Sequence, residues 1–423
     1  METIITPPRE LWDALTARNI PADDPEVTQT VERIVEDVRS RGDEALREYA
    51  MRFDGAEPGS IEISVEEMER GIAAVPPAVA AAIDAAARNI EAFHRAQLPR
   101  PVEVETAPGV RCLQRAVPIS RVGLYIPGGR APLFSTVLML AIPARLAGCR
   151  EVVMCTPASG TSPISPEILY AARTAGVHHI YKVGGAQAIA AMAFGTATIG
   201  RVDKIFGPGN RFVTKAKQLV SAVTAIDMPA GPSEVMIMAD GSACPAFVAA
   251  DMLSQAEHGP DSQAIALCDS MDLAAKIASE VERQTALLSR RGLVEGSLSK
   301  SRIIVLGTRG EMTEFANLYA AEHLIISMRD PWEIAGSITA AGSVFIGNYS
   351  PESAGDYASG TNHTLPTGGW ARSMSGVNIE SYMRRITYQE LTPAGLAALA
   401  PVITAMAAAE GLDAHAAAVN IRI

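Results

Sequence analysis

Arg121-Val122-Gly123-Leu124-Tyr125-Ile126-Pro127-Gly128-Gly129 opens the stretch that decides the fold. Its aliphatic run has the length and composition of a strand, and it stops at a Pro-Gly-Gly turn signal. A helix-length apolar segment follows over 133–146, closed by Gly148, and the same rhythm then repeats. Strand-like runs lie at 122–126, 151–155, 180–183 and 204–206, interleaved with helix-like segments at 133–146, 166–175, 187–194 and 211–220. Pro166 behind Ser165 is a start signal at the expected place, as Gly148 is a stop. Repeated strand–helix units need crossover connections, which are right-handed and give predominantly parallel sheets.

Downstream the alternation resumes, with strand-like runs at 235–238, 264–268, 303–306, 324–327 and 344–347 and helix-like segments at 247–255, 274–288 and 311–319. Two series, about 121–233 and about 234–348, predict two Rossmann-like halves with a cleft between them. Upstream, the first 110 residues read as mostly helical. Asp24-Pro25 is a cap followed by a first-turn proline, and Val27, Val31, Ile34, Val35 and Val38 recur at helical spacing. Gly42 ends that helix, another is expected over 45–53, Ser64 and Glu67 fit a capping box, and 79–94 is alanine-rich and amphipathic. After the second series, residues 350–369 are rich in Ser, Gly, Thr, Pro and Asn. They are too long for an ordinary connection and form a candidate functional loop. A charged segment over 379–390 and an alanine-rich helix over 396–410, stopped by Gly411, complete the pattern.

Of the 423 residues, 48% are hydrophobic, which supports a large core and excludes a disordered chain. A net charge of −11 with no basic run disfavours a nucleic-acid partner. The longest apolar run, near 137–142, ends at Pro143 and Arg145, short of the roughly 20 residues a membrane span needs. Residues 1–10 have neither a basic start nor an apolar stretch, so no secretory leader is expected. The five cysteines, Cys112, Cys149, Cys155, Cys244 and Cys268, are scattered and form no CxxC pair. They read as reduced apolar fillers of a soluble, cytoplasmic protein.

Parallel sheets bind ligands at the carboxyl ends of their strands, so the loops after strands come first. Pro127-Gly128-Gly129, Gly184-Gly185-Ala186-Gln187 and Gly207-Pro208-Gly209-Asn210 each end where a helix begins. Backbone N–H groups there can approach an anion. Any one of these loops is equally an ordinary tight turn. The strict GxGxxG fingerprint is absent, so they name no dinucleotide. Gln255 and His258, three apart, share a helix face and can point at one ion, although His258 also suits a helix C-terminal dipole. Glu410 ends a helix on the wrong side of the dipole, which hints at a partner such as a ligand amine, and His415 follows five residues later. Asp356 lies in the long loop, where a turn aspartate is the plain alternative. Glu322-His323 precedes the run over 324–327. Such neighbours can both line a cleft where a chain turns; the imidazole suits a general base and the carboxylate can activate water. A solvated polar pair is the alternative. His94, on a predicted surface helix, and His178 and His179, without acidic neighbours, are set aside.

Taken together, these segments closely resemble the histidinol dehydrogenase family. The likeness rests on residues 123–129 (GLYIPGG), 183–190 (VGGAQAIA), 204–210 (KIFGPGN), 227–234 (DMPAGPSE) and 253–263 (LSQAEHGPDSQ). It continues over 322–325 (EHLI), 353–363 (SAGDYASGTNH) and 410–415 (EGLDAH). The resemblance implies an α/β fold of the aldehyde/histidinol dehydrogenase type with two Rossmann-like parallel-sheet domains. Residues 1–120 and 234–370 would form one domain with a helical N-terminal part, 121–233 the NAD-binding domain, and 371–423 an extended tail swapped within a homodimer. It implies oxidation of L-histidinol through L-histidinaldehyde to L-histidine, the last steps of histidine biosynthesis, using one Zn2+ per subunit and NAD.

Carried over position by position, Gln255, His258, Asp356 and His415 would ligate zinc and contact the substrate, together with Ser233, His323 and Glu410. His323 would be the base, Glu322 would activate the water that hydrates the aldehyde, and Tyr125, Gln187 and Asn210 would hold NAD. Glu410 and His415 would reach the site from the partner chain. The segment 221–225 is short against some relatives, which implies only a trimmed surface loop. A related zinc and NAD enzyme acting on another small polar alcohol is the alternative, though Glu410 and His363 favour an amine and an imidazole. A two-lobed solute-binding protein would need an export signal. An aldehyde dehydrogenase would need a cysteine nucleophile, and none of the five lies in a matched catalytic motif.

Overall fold

The structure, a computed structural model, describes residues 1–423 apart from 19–23, 56–58, 129–131, 159–162, 178 and 229–230. Gly129, His178 and the Pro229-Ala230 part of one motif therefore lie outside the described residues. Strand β1 (Glu2–Ile5) is followed by helices and then by a hairpin of β2 (Val102–Ala107) and β3 (Val110–Pro118). The next five strands are β4 (Arg121–Tyr125), β5 (Glu151–Thr156), β6 (His179–Lys182), β7 (Lys204–Phe206) and β8 (Ala225–Ile226). They form a parallel sheet in the order β6-β5-β4-β7-β8.

A second parallel sheet contains β9 (Glu234–Ala239), β10 (Gln263–Cys268), β11 (Arg302–Val305), β12 (His323–Ser327) and β13 (Ser343–Ile346). Its order is β1-β11-β10-β9-β12-β13. Both series thus wind alike, the first strand central, the next two to one side and the last two to the other. The order reverses between β4 and β7 and between β9 and β12, where a doubly wound sheet opens a crevice. Finally β14 (Met383–Leu391) pairs antiparallel with β3.

The central strands read as unbroken apolar runs because helices cover both of their faces; all six residues of β9 are buried. Alternation along β4 sends Val122, Leu124 and Ile126 into one core and Tyr125 into another. The first core takes Ile83, Ala87 and Ile90 of helix Pro77–Arg95. The second takes Val27, Val31, Ile34 and Val38 of helix Pro25–Arg41. Set beside the expected grouping of 1–120 with 234–370, the segment 1–120 packs on both sheets. β1, Trp12 and Leu15 join the second sheet and its core, whereas the apolar stripes of helices Pro25–Arg41 and Pro77–Arg95 close the first.

The start signals act as expected: Asp24 accepts from the N–H groups of Glu26 and Val27, and Ser64 and Glu67 form a capping box. The strands β1 to β3 were not expected in a segment read as mostly helical. The 350–369 stretch contains helix Glu352–Tyr357, and the charged segment near the tail is β14. Helices Pro393–Ala409 and Asp413–Asn420 follow, with Val402 and Met406 left 56% and 61% exposed. Among the described residues no single helix is long and apolar enough to cross a membrane.

Candidate active site

Around the first crevice, Tyr125 ends β4, and its hydroxyl accepts a hydrogen bond from the Gly185 N–H at 3.0 Å. Gln187 is buried in the first turn of helix Gly185–Phe194, which follows β6. Asn210 follows β7 and caps helix Arg211–Val220, its Oδ1 accepting from the N–H groups of Phe212 and Val213. The three expected NAD contacts therefore all lie at carboxyl ends of the first sheet. These loops are closely packed. A Cβ on either Gly128 or Gly184 would run into the ring of Pro157, and one on Gly207, at φ +121°, into the Tyr125 carbonyl oxygen.

The second sheet uses its opposite edge. Ser233 immediately precedes β9, and Glu322-His323 stands at the start of β12. The two strands run parallel with His323 in register with Val235. Glu234 thereby meets both acid and imidazole: its N–H donates to Glu322 Oε2 at 2.9 Å, and its carbonyl oxygen lies 3.3 Å from His323 Nδ1. A carbonyl only accepts, so Nδ1 carries the proton. Nε2 is the lone-pair nitrogen, buried and without a hydrogen-bond partner among the described residues. At the other end, the crevice between β9 and β12 is occupied by the Asp240 carboxylate, which accepts from the N–H groups of Ser242 and Arg329 at 2.9 Å each. The expected NAD contacts thus follow strands of the first sheet, whereas the acids and imidazoles of the second gather at the start of its strands.

Helix Pro245–Ala256 runs back from the carboxyl end of β9 towards the start of β10, so Gln255 and His258 arrive at the same edge as His323. Helix Glu352–Tyr357 adds Glu352 and Asp356, four apart and so on one face. Ligand atoms of His258, Glu352 and Asp356 all lie within 4.8 Å of one another. His323 Nε2 is 3.7 Å from Asp356 Oδ1, and its Nδ1 is 3.5 Å from Glu352 Oε1 and 3.7 Å from Glu322 Oε2. Gln255 is 0% exposed, and neither its Oε1 nor its Nε2 has a hydrogen-bond partner among the described residues. Both oxygens of Glu352 are in the same condition.

Each unsatisfied buried polar atom costs on the order of 1–3 kcal/mol, so a cluster of them marks the place of a bound group. Desolvation pushes Asp356 up to about 7 and holds Glu352 and Glu322 well above the usual carboxylate range. Among the described residues no lysine or arginine keeps these acids ionised. A divalent cation bound among them would do so. Burial brings His323 down to about 3, and desolvation also lowers His258, although that residue remains exposed. The donors, imidazole nitrogen with amide and carboxylate oxygens, suit zinc.

Other expected residues are placed differently. Glu410 and His415 are exposed and outside this cluster within one chain. His363 joins the two halves: Nδ1 donates to the Asp356 carbonyl at 2.9 Å, and Nε2 meets Thr136 Oγ1 at 3.3 Å. His94, expected on a surface, is fully buried, and His179 meets Glu62 at 3.1 Å. Burial pushes the thiols of Cys149 and Cys268 up to about 12 and that of Cys155 higher still, which disfavours thiolate chemistry. A cleft of about 830 Å3, lined by Arg18, Gln218, Glu234, Gln263 and Thr367, lies behind Glu234 and contains none of the cluster. Glu352 and Glu234 escaped the sequence reading. Glu352 had a signal: Pro351 followed by two acids four apart spells one turn of helix with both on one face.

The family model described as histidinol dehydrogenase matches residues 18–423. The chain belongs to the histidinol dehydrogenase family. It is 54% identical over 424 residues to the histidinol dehydrogenase of Bacteroides fragilis, covering 100% of this chain and 99% of that one. With that of Salmonella typhimurium it shares 53% over 419 residues, covering 98% and 95%. The crystal structure of histidinol dehydrogenase from Elizabethkingia anophelis matches with a TM-score of 0.97 at 49% identity, covering 100% of this chain and 98% of that one. The resemblance carried by the sequence motifs therefore holds over the full length, and the chain is an oxidoreductase.

Proposed function

We propose that the protein oxidises L-histidinol through L-histidinaldehyde to L-histidine, the last steps of histidine biosynthesis, with zinc and NAD. The observation that carries this reading is the meeting of His258, Glu352 and Asp356 beside a buried, proton-free His323 Nε2, with the unpartnered Gln255 amide three residues before His258. Zinc held by Gln255, His258, Asp356 and His415 of the partner subunit supplies a template for the substrate's imidazole and amine nitrogens. NAD, held by Tyr125, Gln187 and Asn210 of the unit over 121–233, supplies the hydride acceptor. His323 stays neutral in its buried setting, so its Nε2 lone pair is ready for the substrate hydroxyl proton. With a bound cation keeping them ionised, the Glu322 and Glu352 carboxylates behind Nδ1 would offset the charge of the imidazolium then formed. Glu322 activates the water that hydrates the aldehyde. Ser233, with Glu410 of the partner subunit, contacts the substrate, and one enclosed site serves both oxidations so that the aldehyde need not escape.

A homodimer is part of this reading. Glu410 and His415 lie outside their own chain's cluster, and the helix before them leaves Val402 and Met406 exposed, as an arm that packs on a second subunit would. The five cysteines are free, in keeping with the cytoplasm. The test is NADH formation from L-histidinol by the native chain and by His323→Ala, each with and without a chelator. Loss of turnover in the variant and with the chelator is expected. Chelator-insensitive oxidation would remove the zinc assignment, and preference for a simple diol would shift the substrate to another small polar alcohol.

A further inference from the structure

The geometry points to a role for Arg18 and Glu234 that motif reading does not assign: they form a buried clamp that positions Glu322 and His323. This rests on the reading of those two as the catalytic pair. Glu234 is the first residue of β9, and its main chain serves both side chains, the N–H donating to Glu322 Oε2 and the carbonyl facing His323 Nδ1. Any tilt of Glu234 therefore moves both groups together.

Its side chain is held on three sides. Arg18 Nε and Nη2 donate to the two carboxylate oxygens at 3.0 Å each, and the Gly368 N–H donates to Oε1 at 3.0 Å. The Arg18 guanidinium stacks 3.4 Å from the centroid of the Tyr319 ring, whose hydroxyl donates to Gln263 Oε1 at 2.7 Å. Arg18 Nη1 also donates to the Thr16 carbonyl at 2.9 Å. The ion pair is 10% and 4% exposed. Such a buried pair adds little stability over apolar packing, but a planar two-point fork fixes orientation as no apolar contact does. Both residues also line the 830 Å3 cleft, together with Gly368 and Thr367. The N-terminal segment thus reaches the catalytic pair through one residue. Arg18 and Glu234 are positioning residues and need not touch substrate.

The test uses the full-length, zinc-loaded enzyme with Arg18→Met, Arg18→Lys and Glu234→Gln, measuring kcat, both KM values and bound zinc. Arg18→Met is expected to lower kcat about ten- to hundred-fold, the scale set by a misplacement of about 1 Å, with the NAD KM and zinc content unchanged. Arg18→Lys should recover only part of this, because an ammonium cannot form the fork. In a His323→Ala background, Arg18→Met should lower the residual turnover by a smaller factor than in the parent, because only the placing of Glu322 is left to disturb. A kcat within about twofold of the parent, or an equal loss in both backgrounds, overturns the clamp. Should Arg18→Met unfold, Glu234→Gln, which keeps the side-chain shape, carries the same decision. An active parent with indifferent variants fails the clamp alone, whereas an inactive parent fails the functional reading itself.

Discussion

Glu352 Oε1 lies 3.5 Å from His323 Nδ1, and neither oxygen of that carboxyl meets a hydrogen-bond donor among the described residues. A buried acid so placed burdens the metal-free chain and helps once a cation is near. Glu352→Gln should therefore weaken zinc binding about 10- to 100-fold, the usual effect of losing a supporting group beside a metal. The metal-free variant should melt no lower than the metal-free parent. Zinc titration and thermal melts of both forms check this; unchanged affinity with a lower metal-free Tm would make Glu352 a structural residue only.

If His415 serves the partner's site, two inactive chains can rescue each other. A His323→Ala chain still offers His415, and a His415→Ala chain still offers His323. Unfolded and refolded together in equal amounts, about half of the dimers are mixed, each with one intact site, giving about a quarter of parental turnover. If His415 acts within its own chain, every site in the mixture lacks a residue and no turnover returns.

The alternation of strands and helices was legible because both central strands are covered on two faces and so carry unbroken apolar runs, as in β9. The hairpin β2–β3 was not, because Val102 and Val104 alternate with glutamates on a half-exposed strand inside a segment dominated by helices. β1 pairs with β11 about 300 residues away, and four local residues hold no record of such a partner. In the site, Gln255, His258, His323 and Asp356 stood in motifs. Their assembly at the amino edge of the second sheet depends on β9 lying beside β12, a long-range pairing. Glu234 was invisible because it holds Glu322 and His323 through its main chain, which every residue type possesses.

His94 gives the fold an acid sensitivity. Its Nδ1 donates to the Ile90 carbonyl at 2.8 Å, leaving Nε2 to accept from the Asn362 amide at 3.3 Å. The amide cannot turn over freely, since Nδ2 also donates to the Met139 carbonyl at 2.7 Å and Oδ1 accepts from the Thr364 N–H at 2.9 Å. Burial lowers the His94 pKa in the folded chain, whereas the unfolded chain protonates near about 6.5. The unfolded state thus binds more protons below about 6.5, so stability is full above that pH and falls as the pH drops. His94→Gln should flatten this dependence between about pH 6.5 and 5 by up to one proton, or about 1.4 kcal/mol per pH unit. Denaturant melts of parent and variant across that range read the difference; parallel curves would refute it.

Lys217 and Asp227 brace the loop that carries Asn210. Lys217 Nζ pairs with Asp227 Oδ1 and donates to the Gly207 carbonyl at 2.9 Å, while Asp227 Oδ2 accepts from the Gly207 N–H at 2.8 Å. The pair thus grips Gly207 through the peptide units on both its sides, at the glycine that packs on the Tyr125 backbone. With side chains only 5% and 2% exposed, removing the cation alone strands a buried carboxylate. Lys217→Met should cost about 3–5 kcal/mol of stability and raise the NAD KM, leaving bound zinc unchanged. Lys217→Met combined with Asp227→Asn should be more stable than Lys217→Met alone, because the second change removes the stranded charge while an amide oxygen can still accept from Gly207. Denaturant melts and NAD-dependence kinetics on the three chains measure both effects. A double variant less stable than Lys217→Met would show that the carboxylate does not depend on the lysine.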